Sequence, residues 1–391
     1  MKRFSAQYVF TNSGRALKRA VITTQDDGSI VNIEDTGGDL VEKHSVEFHN
    51  GIIIPGFVNC HCHLELSHMK GSIPRSGGLS DFITGVRNIR AKNSEDIAKC
   101  AEAADAEMYR EGIVLCADLC NTSLTFDIKK KSLIKYINLL EVFGTDPENA
   151  DHRLAEVNKI ANTAKEMDLS YSIVPHAVYS MSLSLLRLLK EQSLGNKITS
   201  IHFMETKAEV SFLRNLSGSL ATSFEKSGLL PTAPETVRSH SDAVLNEITQ
   251  SGNLMLVHNT FIDAETITMI KTRKNLYWCL CPNSNIYIEN RIPPLSLLMN
   301  EKCDIVTGTD SLASNSKLSI LEELKTLQKH FPEVIIKDLV LWATLNGAKA
   351  LGEDDKFGKI EIDRKPGLLL LQNVDLVNMK LLPDSFVTRL I

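Results

Sequence analysis

The sharpest chemical signal in the chain is a pair of histidines one residue apart, in Asn59-Cys60-His61-Cys62-His63. Side chains alternate faces along an extended strand, so His61 and His63 project together while Cys60 and Cys62 project the other way. Two imidazoles on one face at a strand end can share one metal ion. Three further candidates close short apolar runs: His202 in Ile201-His202-Phe203, His258 in Leu256-Val257-His258, and Asp310 in Thr307-Gly308-Thr309-Asp310. If these runs are parallel strands of one barrel, all five groups reach the same face and one pocket. Imidazole nitrogens with a carboxylate suit Zn²⁺, and also Fe²⁺. As unrelated core polar groups, each buried His and Asp would need a separate partner.

Glu205 follows His202 by three residues. In a loop beside a metal it would be a general acid whose pKa burial raises. The alternative is a surface glutamate at a helix N-terminus, favoured by the helix dipole. Other chemistries lack their marks. There is no Gly-x-x-x-x-Gly-Lys-Ser/Thr loop, no Gly-x-Gly-x-x-Gly turn and no Gly-x-Ser-x-Gly elbow. His63-Leu64-Glu65 has the His-x-Glu of one class of zinc deaminase, but that class's Pro-Cys-x-x-Cys is missing. Cys279-Leu280-Cys281 reads as two small apolar side chains on one strand face.

Bringing these groups together requires a particular frame. Short apolar runs recur at Gly56–Cys60, Ile113–Leu119, Ile134–Val142, Ser170–Pro175, Thr199–Phe203, Leu254–Val257, Asn275–Leu280 and Asp304–Val306. Helix-like stretches lie between most of them, at Glu95–Arg110, Ala150–Met167, Leu183–Glu191, Ala264–Lys271 and Ile320–His330. Eight strands interleaved with helices predict an α/β fold of the (β/α)₈ TIM-barrel type. Both chain ends differ from this middle. From Phe4 to about Pro55, and again from Gly358, short strands alternate with turns such as Asp26-Asp27-Gly28 and Gly37-Gly38. The 391 residues exceed the needs of a barrel of ~250 residues, and the ends account for the surplus.

Composition narrows the partners. A hydrophobic fraction of 43% and a charged fraction of 23% are those of a soluble globular protein and exclude a disordered chain, a collagen and a coiled coil. A net charge of −5 gives no pull toward nucleic acid or an anionic membrane surface. The run Lys129-Lys130-Lys131 reads as a solvated helix face. No apolar stretch approaches the ~20 residues of a membrane helix. Polar residues interrupt the N-terminal segment, so a cytoplasmic location is expected. The eight cysteines form no Cys-x-x-Cys pair and fit that compartment.

Six ordered motifs, spread over nearly the whole chain, then resemble the amidohydrolase superfamily in its mononuclear aminohydrolase branch. They are residues 55–65 (Pro-Gly-Phe-Val-Asn-Cys-His-Cys-His-Leu-Glu), Pro175-His176-Ala177-Val178-Tyr179-Ser180, His202-Phe203-Met204-Glu205-Thr206, Val257-His258-Asn259, Cys281-Pro282-Asn283-Ser284-Asn285 and residues 308–315, from Gly308 to Asn315. The resemblance implies a (β/α)₈ catalytic barrel over residues 56–349, with a small β-sandwich composed of residues 1–55 and 350–391. It implies His61, His63, His202 and Asp310 as ligands of one divalent metal ion, Zn²⁺ or Fe²⁺. A bridging lysine, which binuclear relatives carry at the end of the fourth strand, is missing here. Glu205 would be the proton shuttle, His258 would hold and polarise the attacking water, and Asp310 would accept its proton. His176, Glu65, Tyr179 and Ser311 would contact substrate.

The implied reaction is hydrolytic deamination, a cleavage of a non-peptide carbon–nitrogen bond that releases ammonia from an aromatic heterocycle. His63-Leu64-Glu65-Leu66-Ser67 and Gly78-Leu79-Ser80-Asp81-Phe82 look most like deaminases of aminodeoxyfutalosine, an adenine nucleoside carrying a benzoate group, with S-adenosylhomocysteine deaminases close by. His68-Met69-Lys70-Gly71 and Asn259-Thr260-Phe261 depart from the usual continuations and leave the exact purine analogue open. Arg75, Arg87 and Arg90 are candidates to meet an anionic substrate group. The same metal site would serve a chlorohydrolase or a cyclic amidohydrolase. A non-catalytic scaffold need not keep the full ligand set. The expected partner is a small molecule, and relatives often form homodimers.

Overall fold

The computed structural model describes residues 1–40, 45–89, 94–226, 228, 245–248 and 252–391. At its centre are eight parallel strands. Phe57–Cys62, Ile113–Cys120, Lys135–Val142 and Tyr171–Pro175 pair in chain order in one four-stranded sheet. Ile198–Phe203, Asn253–His258, Leu276–Leu280 and Asp304–Thr307 pair in chain order in a second. Their sequences are near-continuous apolar runs because strands of this kind are covered on both faces. Each lies within two residues of the run that predicts it.

The two sheets meet at both edges and close the ring. Parallel bridges join Ala177 to His202 and Cys62 to Asp310. Across the first junction the His202 N–H donates to the His176 carbonyl at 2.9 Å; across the second, the Thr309 and Asp310 N–H groups both donate to the His61 carbonyl at 3.0 Å. The second junction is tight. A Cβ on Gly308 would lie 2.7 Å from His61 Cβ and 2.9 Å from His61 N, so only glycine fits there.

Helices follow the strands, and some start at a side-chain cap. Ser182 accepts the Leu185 N–H ahead of Leu183–Gln192, Thr206 accepts the Glu209 N–H ahead of Lys207–Asn215, and Asp263 accepts the Thr266 N–H ahead of Ala264–Ile270. Among the described residues, no helix is long and apolar enough to cross a membrane.

The two β-rich ends join in one seven-stranded sheet, in which Leu368–Asp375 pairs antiparallel with Val46–Pro55. Phe4, Ile22, Ile53 and Leu370 form its core. Val46–Pro55 passes into the first barrel strand through Gly56, where a Cβ would sit 2.4 Å from Val114 and 2.8 Å from the Pro366 carbonyl oxygen.

The lysine run departs from expectation. Lys129, on the helix Phe126–Lys131, is only 4% exposed. Its Nζ lies 2.5 Å from Asp118 Oδ2, 2.8 Å from Asn138 Oδ1 and 3.0 Å from Cys120 Sγ. The short helix turns this first lysine of the run inward against the second and third strands. Burial favours the neutral amine, but the Asp118 carboxylate outweighs it and keeps Lys129 charged. Asp118 Oδ1 in turn accepts the Leu64 N–H at 2.7 Å, directly after His63. The buried ion pair therefore fixes the end of the strand that carries both histidines.

Two measurements check this frame. Lys129→Met leaves the Asp118 charge without a counterion and is expected to destabilise the fold by about 3–5 kcal/mol in urea denaturation. Gly308→Ala is expected to cost about 1–3 kcal/mol, the usual penalty of forcing an extra methyl into a packed interior.

Candidate active site

Four strands deliver their terminal side chains to one point. The ring centroids of His61 and His63 lie 4.9 Å apart, His61 and His202 4.9 Å, and His61 and His258 5.5 Å. His61, His63 and His202 each offer a nitrogen, all within 4.8 Å of one another. Asp310 Oδ1 approaches from the eighth strand, 3.7 Å from His61 Nε2 and 3.6 Å from His63 Nε2. The cluster sequence analysis expects is thus brought together in full: His61, His63, His202, His258 and Asp310.

The donor set fits a metal ion. Both ring nitrogens of His61 are buried and accept or donate no hydrogen bond among the described residues, an arrangement that is costly unless a ligand satisfies it. Burial first, and neighbouring imidazoles second, hold His61 and His202 well below the usual histidine range, which favours the neutral rings that a metal ion binds. His202 Nδ1 donates to the His176 carbonyl at 2.6 Å, which leaves Nε2 as the nitrogen free of a proton.

Asp310 is held ionised. Burial alone would raise its carboxyl, but His63, His258 and the Ser284 and Ser314 hydroxyls outweigh burial and keep it below the usual carboxylate range. Those hydroxyls donate to Oδ2 at 2.5 and 2.9 Å, and the Ser311 N–H donates to Oδ1 at 2.8 Å.

Glu205 experiences the opposite environment. It is buried in the pocket, not on the surface at a helix start. Burial, then the charges of Asp310, Glu209 and Glu289, push its carboxyl well above the usual range, which favours the protonated form. Its Oε1 lies 3.7 Å from His258 Nε2. The Asn285 amide N–H donates to His258 Nδ1 at 3.0 Å, which places the histidine's own proton on Nε2. Burial lowers the His258 pKa to about 4 and keeps that ring neutral.

Two buried glutamates brace these groups. Glu209 Oε1 accepts the Met204 N–H at 3.1 Å and Oε2 accepts the Glu205 N–H at 2.8 Å. Burial raises its own carboxyl to about 7. Glu323 accepts the Asn283 N–H at 2.9 Å and the Asn315 side-chain amide at 2.7 Å, tying together the turns that follow the seventh and eighth strands. Burial raises that carboxyl to about 8. Sequence analysis singles out neither glutamate. The available signal is a carboxylate on an apolar stripe: Glu209 precedes Phe212 and Leu213 by three and four residues, and Glu323 lies three after Ile320 and four before Leu327.

A cavity of about 450 Å³ opens over the cluster. His63, His176, Tyr179, His202, Glu205, His258, Asp310 and Ser311 line it, with Phe82, Phe143, Arg87 and Arg153 farther along its walls. Glu65 is placed elsewhere. It is buried outside the lining, where Oε2 accepts the Thr122 N–H at 3.1 Å and the Thr122 hydroxyl at 2.8 Å, so it supports the turn after the second strand. Arg75 stacks on the Tyr287 ring, 4.9 Å from its centroid, and is also outside the lining. Arg90 lies outside the described residues.

Comparison with known proteins follows this geometry. An aminodeoxyfutalosine deaminase of Nitratiruptor is 26% identical over 354 residues, covering 86% of this chain and 84% of that protein. A 5-methylthioadenosine/S-adenosylhomocysteine deaminase of Pyrococcus abyssi is 29% identical over 77% of this chain and 69% of that protein. The crystal structure of Helicobacter pylori aminofutalosine deaminase with methylthio-coformycin superposes with a TM-score of 0.79 at 23% identity, covering all of both chains. A zinc-bound adenosine deaminase of Xanthomonas campestris superposes with a TM-score of 0.70 at 19% identity, over 94% of this chain and 84% of that one. These structures share the fold. The pattern of the amidohydrolase family matches residues 52–387, from the strand that leads into the barrel to the final hairpin, and on that match the chain belongs to the amidohydrolase family.

Proposed function

We propose that this protein is a metal-dependent deaminase of an adenine-type nucleoside, releasing ammonia by hydrolysis. One observation carries the reading: the buried Glu205 carboxyl lies 3.7 Å from His258 Nε2, beside three imidazoles that converge on one point. His61, His63, His202 and Asp310 would hold one divalent ion, Zn²⁺ by the preference of a nitrogen-rich set with one carboxylate, with Fe²⁺ as the second choice. A bound divalent cation supplies water of lowered pKa at neutral pH.

The chain's own groups do the rest. His258, fixed by Asn285, orients and polarises the attacking water. Asp310 accepts a proton from that water as it attacks the ring carbon bearing the amino group. Glu205 gives its proton to the adjacent ring nitrogen, so negative charge does not build up there. Asp310 passes the proton it took to the amino group, the carbon–nitrogen bond breaks and ammonia leaves, while the proton of the newly added hydroxyl returns to Glu205. His176, Tyr179 and Ser311 line the same cavity and would contact the substrate.

The substrate class draws support from three kinds of relative, all named as deaminases of adenine nucleosides. Aminodeoxyfutalosine fits the walls best. Phe82 and Phe143 offer faces for an aromatic substituent, and Arg87 and Arg153 offer charge for its carboxylate.

Purified protein assayed for ammonia against adenosine, methylthioadenosine, S-adenosylhomocysteine and aminodeoxyfutalosine tests the reading, with a chlorotriazine as the competing chemistry. Ammonia from a nucleoside, with about one metal ion bound per chain, is expected; inactivity on every nucleoside by metal-loaded protein would reject it. Glu205→Gln should keep its metal yet lose about 10²–10⁴-fold in kcat. A group with a raised carboxyl pKa donates below that pKa and not above it. Activity should therefore fall on the alkaline side as Glu205 loses its proton.

A further inference from the structure

Glu141 stands in the cavity wall with no task in the chemistry above. It ends the third barrel strand, where Leu139-Leu140-Glu141-Val142 buries a carboxylate within an apolar run. The side chain is 2% exposed. One oxygen, Oε2, accepts the Asn121 side-chain amide at 3.0 Å. The other, Oε1, has no hydrogen-bond partner among the described residues. His202 Nδ1 lies 3.6 Å from it, and that nitrogen's proton is already given to the His176 carbonyl at 2.6 Å. A buried carboxylate oxygen facing a cavity without a donor is an acceptor built for something that enters.

A carboxylate oxygen of Glu141 lies within 4.8 Å of ring nitrogens of His176 and His202. A second cation there would need the His202 nitrogen that already donates, which leaves one imidazole and one carboxylate, too few for a closed site. A neutral donor suits the place better. The direction of the cavity says which donor. Phe143, Asp146, Asn149 and Arg153 all follow the third strand in the chain and line the same cavity as Glu141. A heterocycle engaged by Glu205 and His258 on the fifth and sixth strands therefore extends its substituent past Glu141. In a nucleoside that substituent begins with a sugar.

We propose that Glu141 Oε1 accepts a hydrogen bond from the sugar hydroxyls of the substrate, making Glu141 a specificity residue that selects a hydroxylated nucleoside. This rests on the deaminase reading above. The carboxylate also repels an anionic group at this depth, so a substrate's carboxylate belongs farther out, beside Arg87 and Arg153.

The test compares metal-loaded wild type and Glu141→Gln on adenosine and on 2′,3′-dideoxyadenosine, with metal content and thermal unfolding measured on both proteins. Wild type is expected to prefer adenosine by about 30-fold or more in kcat/KM, because losing a partner of a buried charged acceptor is costly. Glu141→Gln should cut that preference about tenfold, mainly through KM, and keep its metal. Equal loss on both substrates would mark Glu141 as a support of His202 and overturn the proposal. So would a wild type that turns over both substrates alike, a result that does not depend on the variant folding. Wild type inert on every nucleoside would instead sink the deaminase reading and this proposal with it.

Discussion

The His61 carbonyl accepts backbone N–H groups from both Thr309 and Asp310, and that junction closes the barrel and assembles the site in one act. His61 is a candidate ligand through its ring and a structural acceptor through its backbone. Asp310 is likewise a candidate ligand through its carboxylate and a structural donor through its backbone N–H. The opposite junction repeats the pattern: the His202 backbone N–H meets the His176 carbonyl, and the His202 ring meets the same oxygen through Nδ1. Both seams of the barrel therefore run through the cluster. A register error at either seam would move a ligand to the wrong face, so the strand pairing that makes the fold also selects the geometry of the site.

That geometry crowds carboxylates into a dry space, and their protonation states must diverge. Asp310 and Glu205 line one cavity with opposite outcomes. Asp310 collects two hydroxyls and a backbone N–H, all donors that favour the charged form. Glu205 has burial and three neighbouring negative charges acting on it, and stays protonated. A base and an acid arise from similar side chains because their surroundings differ. His61, His202 and His258 follow the same logic: burial makes an imidazolium unfavourable there and favours neutral rings, the form that binds a metal.

Much of this was legible in the sequence. His61-Cys62-His63 showed its shared face through the two-residue period of a strand, and apolar runs ending in His202, His258 and Asp310 marked the other strands that reach the cluster. The frame was legible because parallel strands covered on both faces read as unbroken apolar runs. What escaped had no local signature. Lys129 sits in a lysine run whose chemistry says surface, and only the fold brings Asp118 beside it. Glu65 lies two residues from His63 and invites a role in substrate contact, yet the turn at Asn121 and Thr122, far away in sequence, captures its carboxylate. Glu209 and Glu323 were visible as acidic interruptions of helical apolar stripes, but nothing nearby told which backbone groups they would serve.

Those two glutamates answer a problem of backbone strain. Met204, His258, Asn259 and Asp310 have φ values of +47°, +77°, +56° and +57°, left-handed conformations for side chains that rarely adopt them. Each costs on the order of 1–3 kcal/mol and persists only where surrounding contacts over-determine it. Glycine at His258 or Asp310 would relieve the strain but remove a side chain of the cluster. The chain keeps the functional side chain and holds its backbone from behind. Glu209 binds the N–H groups of Met204 and Glu205, the Phe203 carbonyl receives the Asn259 N–H, and Glu323 anchors the turns bearing Ser284 and Ser314, which grip Asp310. The bends turn the side chains at the strand ends across the mouth of the barrel toward one another. The buried carboxylates that hold those bends are therefore as much a part of the site as the groups that face the cavity.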